Sequence, residues 1–208
     1  TLDKYDAKAT FFVLGKNAEM YPDLYRRIVD AGHRIGNHTY SHQKGWGMSL
    51  ERYIEDVDFA NDLLHTELFR PPYARITPAQ ARALAKRYKL VMWDVLSRDY
   101  NRALSPRTCL RNVTRYLEGG SIVVFHDSEK SFRNMSYAGK RSCGSPRPAK
   151  PPLYPENYGG VLAKRERPRT DYRRNGLFAR IVGQFARVGR RHVAPRTAMI
   201  GVETRTSA

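Results

Sequence analysis

The feature that most constrains the fold is an alternation of short apolar runs with longer amphipathic segments, which extends over residues 1–138 of this 208-residue chain. Between the runs, apolar residues recur every three to four positions, as on one face of a helix. The apolar runs cover residues 9–14, 90–95 and 122–125, and two further short segments that are predicted to be extended cover residues 34–37 and 68–70. Because parallel strands need a crossover between them, the order β-α-β-α-β-α-β-α-β predicts a parallel sheet wrapped by helices, an α/β fold.

Polar residues mark the expected helix starts. Ser49, Thr77 and Ser105 each precede an amphipathic segment and are predicted N-caps. Thr77 and Gln80 also have the spacing of a capping box. The helix after Ser105 is predicted to run to the glycine pair at Gly119.

Four residues that could carry chemistry come at or after the ends of apolar runs: His38, Arg70, Asp99 and His126. In a (β/α) barrel such positions converge on one face, where catalytic residues gather. The barrel is therefore favoured, and an open doubly wound sheet is the alternative.

His38 and His42 lie four residues apart, a spacing that lets both imidazoles face one metal ion. The alternative interpretation is a polar loop with two ordinary histidines. No glutamate follows His38, so a zincin-type protease site is not supported.

Five strings carry a family resemblance, and they occur in this order: AKATFFVLG (7–15), GHRIGNHTYSH (32–42), FRPPY (69–73), WDVLSRDY (93–100) and IVVFHD (122–127). Together they resemble polysaccharide deacetylases of the NodB-like family, which are carbohydrate esterases. The resemblance covers residues 1–138 and implies a distorted (β/α) barrel and a divalent metal, usually zinc.

The resemblance implies a role for each matching polar residue. His38 and His42 match metal ligands, and His126 matches the general acid that protonates the leaving amine. Asp99 matches the aspartate that holds and tunes this histidine, and Arg70 matches the arginine that pairs with the catalytic base. Without the resemblance, His126 would be interpreted as a core histidine, Asp99 as a solvated loop residue and Arg70 as a surface turn residue.

Three further positions match the substrate pocket of the family. Tyr73 matches the residue whose backbone amide helps to form the oxyanion site. Val124 stands where the family usually has leucine, at the wall around the acetyl methyl group. Tyr100 stands where many members have tryptophan, an exchange of one aromatic for another.

The first motif of the family, a strand end resembling Thr-Phe-Asp-Asp-Gly-Pro, has no match in this chain. Its two aspartates are the base and the third metal ligand; Asp3 and Asp6 match the end of the helix that follows it. We therefore expect a domain truncated by one βα unit, without the third carboxylate ligand and without a general base. Weak zinc binding and slow or absent turnover follow from this expectation.

Residues 139–208 differ sharply from the rest. They carry 16 Lys and Arg against 4 Asp and Glu, whereas residues 1–138 carry 21 against 16, so most of the formal net charge of +17 lies in this tail. An Arg-, Pro- and Gly-rich composition favours an out-of-frame or disordered tail; a genuine fused tail with a short helix at 177–188 is the alternative. We expect the tail not to complete the barrel, and to make non-specific polyanion contacts at most rather than to form a nucleic-acid module.

The sequence therefore predicts a metal-dependent hydrolase that removes N-acetyl groups from N-acetylglucosamine polymers such as peptidoglycan or chitin-like oligomers. The alternative is an inactive, truncated relic of such an enzyme. The resemblance implies secretion or the cell envelope, although no targeting segment is visible. No apolar stretch approaches the roughly 18 residues of a membrane span, and two cysteines cannot form a disulfide framework.

Overall fold

The computed structural model describes residues 2, 7–143 and 200–204, with side-chain detail for residue 2 and for 7–138. Seven strands form one sheet. They are β1 (Ala9–Val13), β2 (Arg34–Asn37), β3 (Leu68–Phe69), β4 (Lys89–Leu90), β5 (Val95–Leu96), β6 (Val123–Asp127) and β7 (Ile200–Thr204).

Helices connect most of the successive strands. They are α1 (Gly15–Met20), α2 (Pro22–Asp30), α3 (Leu50–Leu64), α4 (Pro78–Leu84), α5 (Pro106–Thr114) and α6 (Glu129–Cys143), with a short 3-10 turn at Pro72–Ala74. The three predicted N-caps are confirmed, because the hydroxyls of Ser49, Thr77 and Ser105 each accept a backbone N–H of the first helical turn. The capping box of Thr77 and Gln80 is also present.

The topology shows that the sheet is curved. All its strand pairs are parallel, in the order β4-β3-β2-β1-β7-β6-β5, so the two outermost strands are consecutive in the chain. From Leu90 to Val95 an extended chain spans at most about 18 Å. A flat sheet of seven strands would hold its outer strands about 29 Å apart. The sheet is therefore rolled into a barrel that residues 91–94 close, which confirms the predicted fold class and excludes the open alternative.

Arg70 holds this closing segment in place. The side chain is fully buried, and its Nε and Nη2 donate hydrogen bonds to the carbonyls of Val91 and Met92 at 3.0 and 3.1 Å. Its guanidinium carbon also lies 3.9 Å from the ring centroid of Phe12 on β1, a cation–π contact. The local sequence alone predicts that Arg70 is a surface turn residue. This prediction is wrong, because the barrel encloses the start of the loop after β3.

Three details of the predicted elements are corrected. The apolar run at 90–95 is not one strand but contributes to two, because its middle residues turn from one sheet edge to the other. Helix α5 ends at Thr114 rather than at Gly119, and Leu117 packs on the core from the loop that follows. Helix α1, directly after β1, was not predicted.

We expected the tail, residues 139–208, not to complete the barrel. This expectation is wrong, because β7 of the tail is one of the strands of the sheet. This strand lies between β1 and β6 and pairs in parallel with both. Averaging the composition over the whole tail conceals a five-residue segment, IGVET, with β-branched residues at alternate positions. Without a strand in this place, the facing edges of β1 and β6 would lack backbone partners.

Several expectations fall outside the described residues: Asp3 and Asp6, the helix at 177–188, and the order of most of the tail. Helix α6 continues through residue 138, and the division of the chain at that residue stays a prediction. Within the described part of the chain, no helix combines the length and apolarity that crossing a membrane requires.

The role of Arg70 in closing the barrel predicts a large effect of a conservative exchange. Arg70→Lys keeps the positive charge but removes the planar pair of donors, so the carbonyls of Val91 and Met92 lose their partners. We expect the free energy of unfolding to fall by about 3 kcal/mol in urea denaturation. The control is Arg87→Lys at a solvent-exposed pair with Asp58, where we expect a change below about 1 kcal/mol. Equal losses in the two variants would contradict this role.

The position of β7 predicts that the end of the chain is needed for stability. A chain ending at residue 199 loses both ladders of β7, and we expect its free energy of unfolding to fall by more than about 3 kcal/mol. A chain ending at residue 204 keeps them and serves as the matched control. Thermal and urea unfolding of the two truncations against the full chain measure the difference. If both truncations matched the full chain, β7 would not be part of the folded core.

Candidate active site at the carboxyl edge of the barrel

The predicted site residues lie at one edge of the barrel. His38 directly follows β2 and Arg70 directly follows β3, while Asp99 lies in the loop after β5 and His126 lies near the end of β6. Because all the strands are parallel, these positions share the carboxyl edge of the sheet. The structure arranges them in two groups, which we call the Asp99–His126 pair and the His38–His42 pair.

The Asp99–His126 pair is buried and doubly bonded. Nδ1 of His126 lies 2.7 Å from Oδ1 of Asp99, and the backbone N–H of His126 donates to Oδ2 at 2.7 Å. The side chains are 0% and 5% exposed, so the interpretation of Asp99 as a solvated loop residue is wrong. Since a carboxylate accepts at Nδ1, the imidazole carries a proton there, and Nε2 is the atom that can exchange a proton with another group.

Two residues that were not predicted from the sequence, Ser97 and Asn134, hold this pair. Nδ2 of Asn134, on α6, donates to the backbone carbonyl of Asp99 at 3.1 Å, and Oγ of Ser97 accepts the Asp99 N–H. Asn134 is 2% exposed. The sequence feature that could have identified it is a polar residue on the apolar face of an amphipathic helix, because a buried polar side chain needs a hydrogen-bond partner. Beside the pair, burial and the Asp99 carboxylate raise the pKa of the Cys109 thiol.

Two residues that the resemblance predicts for the substrate pocket lie near His126. The ring of Tyr100 meets the imidazole edge-on at a centroid distance of 4.8 Å, and Tyr100 is 38% exposed. Val124 lies two residues before His126 on β6, hence on the same face of the strand, and is fully buried. The exposed ring of Tyr100 therefore lies between the solvent and one edge of the buried imidazole of His126.

The His38–His42 pair is oriented through the backbone. The two rings lie 5.1 Å apart, and Nδ1 of His38 lies 2.6 Å from the carbonyl oxygen of Arg70. A carbonyl only accepts, so Nδ1 carries the proton and Nε2 of His38 keeps its lone pair. Metal-binding histidines have this arrangement, in which the ring N–H away from the metal donates to a carbonyl or a carboxylate.

The loop between these histidines is held by Asp56 of α3. Its carboxylate accepts from the backbone N–H of Tyr40 and from the backbone and hydroxyl of Ser41, at 2.7 to 3.3 Å. At the start of the loop, Oδ1 of Asn37 accepts the N–H of Thr39 at 2.8 Å. Neither support was predicted from the sequence. Asp56 lies on another element, and the contact of Asn37 depends on the conformation of the loop.

Tyr73 lies beside the His38–His42 pair. Its ring meets that of His42 at a centroid distance of 4.7 Å, and the ammonium of Lys44 lies 5.2 Å from its centroid. Tyr73 is 45% exposed and has a φ of 57°, an uncommon backbone conformation for a non-glycine residue. This conformation sets the direction of the backbone after the Pro71–Pro72 turn, at the position that matches the oxyanion site.

The residues present fit part of a metal site. Two imidazoles on a braced loop, one of them in the tautomer that leaves Nε2 able to bind, are suited to a divalent ion such as zinc. Among the residues whose side chains the structure describes, no group of three or more His, Cys, Asp or Glu has the arrangement of a metal site. The described side chains thus offer two candidate ligands, His38 and His42.

A cavity of about 450 Å³ lies beside this edge but on the helix-covered side of the sheet. It lies between α2 and the start of α6, among residues such as Val13, Tyr25 and Phe132, and Asp127 contributes to its wall. Burial raises the pKa of Asp127. Because Asp127 follows His126 on β6, the two side chains lie on opposite faces of the sheet. The cavity is therefore separate from the two histidine groups.

Comparison with known proteins finds similarity to polysaccharide deacetylases. Residues 1–93 match the family model of polysaccharide deacetylases. The chain is 34% identical over 134 residues to a peptidoglycan-N-acetylglucosamine deacetylase of Bacillus cereus, covering 61% of this chain and 48% of that protein. It is 36% identical over 107 residues to chitin deacetylase 1 of Saccharomyces cerevisiae, covering 48% of this chain and 35% of that protein.

Solved structures show the same likeness. A deacetylase determined with its substrate is 30% identical, with a TM-score of 0.55, and the match covers 67% of this chain and 72% of that one. A family 4 carbohydrate esterase from Streptomyces lividans, in complex with acetate, is 27% identical, with a TM-score of 0.61 and coverage of 69% and 78%. The chain spans about half or less of the length of the first curated relatives that it matches. From its motifs, its barrel and these matches, the chain belongs to the polysaccharide deacetylase family, carbohydrate esterase family 4.

Proposed function

We propose that this chain is a metal-dependent hydrolase that removes N-acetyl groups from N-acetylglucosamine-containing polysaccharide, either peptidoglycan or chitin-like oligomers. The observation that carries the proposal is the buried Asp99–His126 pair at the same sheet edge as the His38–His42 pair. Relatives named as peptidoglycan and chitin deacetylases support the substrate class. Their cell-wall substrates also support a location at the cell envelope or outside the cell.

His126 is the proposed general acid. Its Nδ1–H is held by Asp99, so the ring can move a proton only at Nε2, on the side away from that carboxylate. Donation of the Nε2 proton to the nitrogen of the leaving amine would assist cleavage of the carbon–nitrogen bond. Asp99 stabilises the imidazolium through the short hydrogen bond and does not itself need to change protonation.

His38 and His42 are the proposed holders of a divalent metal ion, and zinc is the proposed metal. When bound, such an ion supplies Lewis-acid polarisation of the acetyl carbonyl. The chain itself supplies the orientation: Arg70 positions the His38 ring through its carbonyl, and Asp56 braces the loop that carries His42. Arg70 also holds the barrel closed beside this loop.

The pocket residues complete the proposal. The backbone amide of Tyr73 is the proposed oxyanion donor, and the turned conformation of this residue beside His42 supports this assignment. Tyr100 offers an aromatic surface at His126 on which a sugar ring can pack. Val124 is the proposed apolar wall for the acetyl methyl group.

The alternative is an inactive relic of such an enzyme. It is favoured by one observation, that the described side chains supply only two metal ligands. The experiment that distinguishes the active hydrolase from the inactive relic is a measurement of acetate release from acetylated chito-oligosaccharides and peptidoglycan fragments, with zinc or cobalt added. Turnover supports the hydrolase, and its complete absence with metal bound supports the relic.

The role of His126 predicts a specific loss of turnover. His126→Asn removes the group that protonates the amine, so we expect acetate release to fall by about 10² to 10⁴-fold. The matched control is His65→Asn, which makes the same exchange at an exposed residue capping α3 in the left-handed region, where asparagine is well tolerated. Similar rates in the two variants would contradict the assignment of the general acid.

The role of His42 predicts a loss of metal affinity that can be measured without turnover. His42→Ala removes one of two imidazole ligands, so we expect zinc affinity, measured by competition with a chelating dye, to fall at least about tenfold. His65→Ala is the control and should bind zinc like the unchanged chain. If His42→Ala bound zinc with unchanged affinity, the metal would not lie on this loop.

A further inference from the structure

Two loops beside the His38–His42 pair are fixed to each other. One covers residues 43–48 and the other covers residues 73–76. The backbone N–H of Gly45 donates to the carbonyl of Arg75 at 2.8 Å. A Cβ at position 45 would lie 2.8 Å from the same oxygen, so this close approach of the two loops requires a glycine. The loops therefore present one continuous surface next to the metal-binding histidines.

This surface carries two cations, each lying on an exposed aromatic ring. The ammonium of Lys44 lies 5.2 Å from the ring centroid of Tyr73, and the guanidinium carbon of Arg75 lies 5.3 Å from that of Trp46. Tyr73 and Trp46 are 45% and 47% exposed. The indole is held through Nε1, which donates to the carbonyl of Ile76 at 3.2 Å. We call these four residues the rim patch: Lys44, Trp46, Tyr73 and Arg75.

The charges of the rim patch are available to a ligand. Within the part of the chain that the structure describes, neither Lys44 nor Arg75 pairs with a carboxylate. By contrast, Arg87 also lies over a tyrosine ring, but its guanidinium is paired with Asp58. A guanidinium offers a planar pair of donors that matches a carboxylate, and an ammonium adds a second positive charge. The rim patch is therefore suited to an anionic group that comes from outside the chain.

The rim patch adjoins the His38–His42 pair. The ring of Tyr73 contacts the ring of His42 at a centroid distance of 4.7 Å and also contacts the ammonium of Lys44. A glycan whose acetamide is bound at the histidines thus has exposed aromatic faces and cations beside it. Aromatic faces suit the apolar side of a sugar ring, and the cations suit a carboxylate on the same glycan.

We propose that the rim patch selects anionic glycans, with Lys44 and Arg75 binding a carboxylate that the polysaccharide carries near the reacting acetamide. Peptidoglycan carries such carboxylates on the lactyl groups of its muramic acid and on its stem peptides, whereas chitin-like oligomers are neutral. The rim patch thus favours peptidoglycan as the substrate class. This inference rests on the proposed function, because it takes the His38–His42 pair as the place where the acetamide binds.

The test compares the binding of three tetrasaccharides to the full chain by calorimetry. They are neutral chitotetraose, a peptide-free peptidoglycan fragment with free lactyl carboxylates, and the same fragment carrying stem peptides. We expect a carboxylate-bearing fragment to bind at least about tenfold more tightly than chitotetraose, and this preference to shrink as salt is added. Tight binding of the peptide-free fragment assigns the lactyl carboxylate, and tight binding only of the peptide-bearing fragment assigns the peptide carboxylates.

Removal of the two cations should abolish the preference. In the double variant Lys44→Gln and Arg75→Gln, we expect the ratio of the affinities for the anionic and the neutral glycan to fall to about one. Arg75→Lys alone keeps the charge and should retain part of the preference. The control is Arg115→Gln, which removes a guanidinium lying 5.5 Å from the ring centroid of Tyr116. Arg115 follows α5, which returns to the start of β6 at the opposite edge of the sheet, so the preference should be unchanged.

The rim patch and the proposed function fail in different ways. If the unchanged chain binds neutral and anionic fragments equally, or if the double variant keeps the preference, the role of Lys44 and Arg75 is wrong. Acetate release from chitotetraose, or loss of zinc affinity in His42→Ala, would in that case still support the proposed function. If the unchanged chain binds none of the three glycans, the proposed function is wrong, and the selectivity of the rim patch is wrong with it.

Discussion

Arg70 makes the interactions on which the site depends most, through its buried guanidinium and through its backbone carbonyl. Through Nε and Nη2 it holds the carbonyls of residues 91 and 92, where the chain passes from one sheet edge to the other and closes the barrel. Through its carbonyl oxygen it sets the tautomer and the orientation of His38. A buried cation is costly unless it is hydrogen-bonded, so these contacts stabilise both the residue and the segments that it joins. Closure of the barrel and orientation of the loop that carries His38 and His42 therefore depend on the same residue, the first through its side chain and the second through its backbone carbonyl.

Backbone strain is concentrated around the same edge. Positive φ angles at non-glycine residues occur at Thr39 beside His38, at His42 itself, at Tyr73 and at Arg98 beside Asp99. Such conformations cost about 1 to 3 kcal/mol each and persist only where the surroundings hold them. Here they are held by side-chain bonds, such as that from the Thr39 N–H to Asn37. The stability of the barrel thus supports a set of loop conformations that local preferences would not select.

The site is assembled from segments that are far apart in the chain. One half follows β2 and β3, the other follows β5 and lies on β6, and β1 and β7 separate them in the sheet. Strand β7 comes from the far end of the chain and pairs over its length with β6, at the register position of His126. The backbone of His126 is thus positioned partly by a strand that is distant in the chain. Any function of this edge depends on that long-range pairing as well as on the motif residues.

The sequence by itself determined the features that depend on neighbouring residues. Alternating apolar runs predicted a parallel α/β sheet, and hydroxyl residues predicted three helix starts. Polar residues after the runs favoured a barrel and predicted which side chains meet at one edge. Only the tertiary structure decided that the run at 90–95 divides between two sheet edges, that Asp56 and Asn134 support the site, and that β7 enters the sheet. These features arise from contacts between residues distant in the chain. Local periodicity carries no information about such contacts, because pairing partners are chosen by the geometry of the closed barrel.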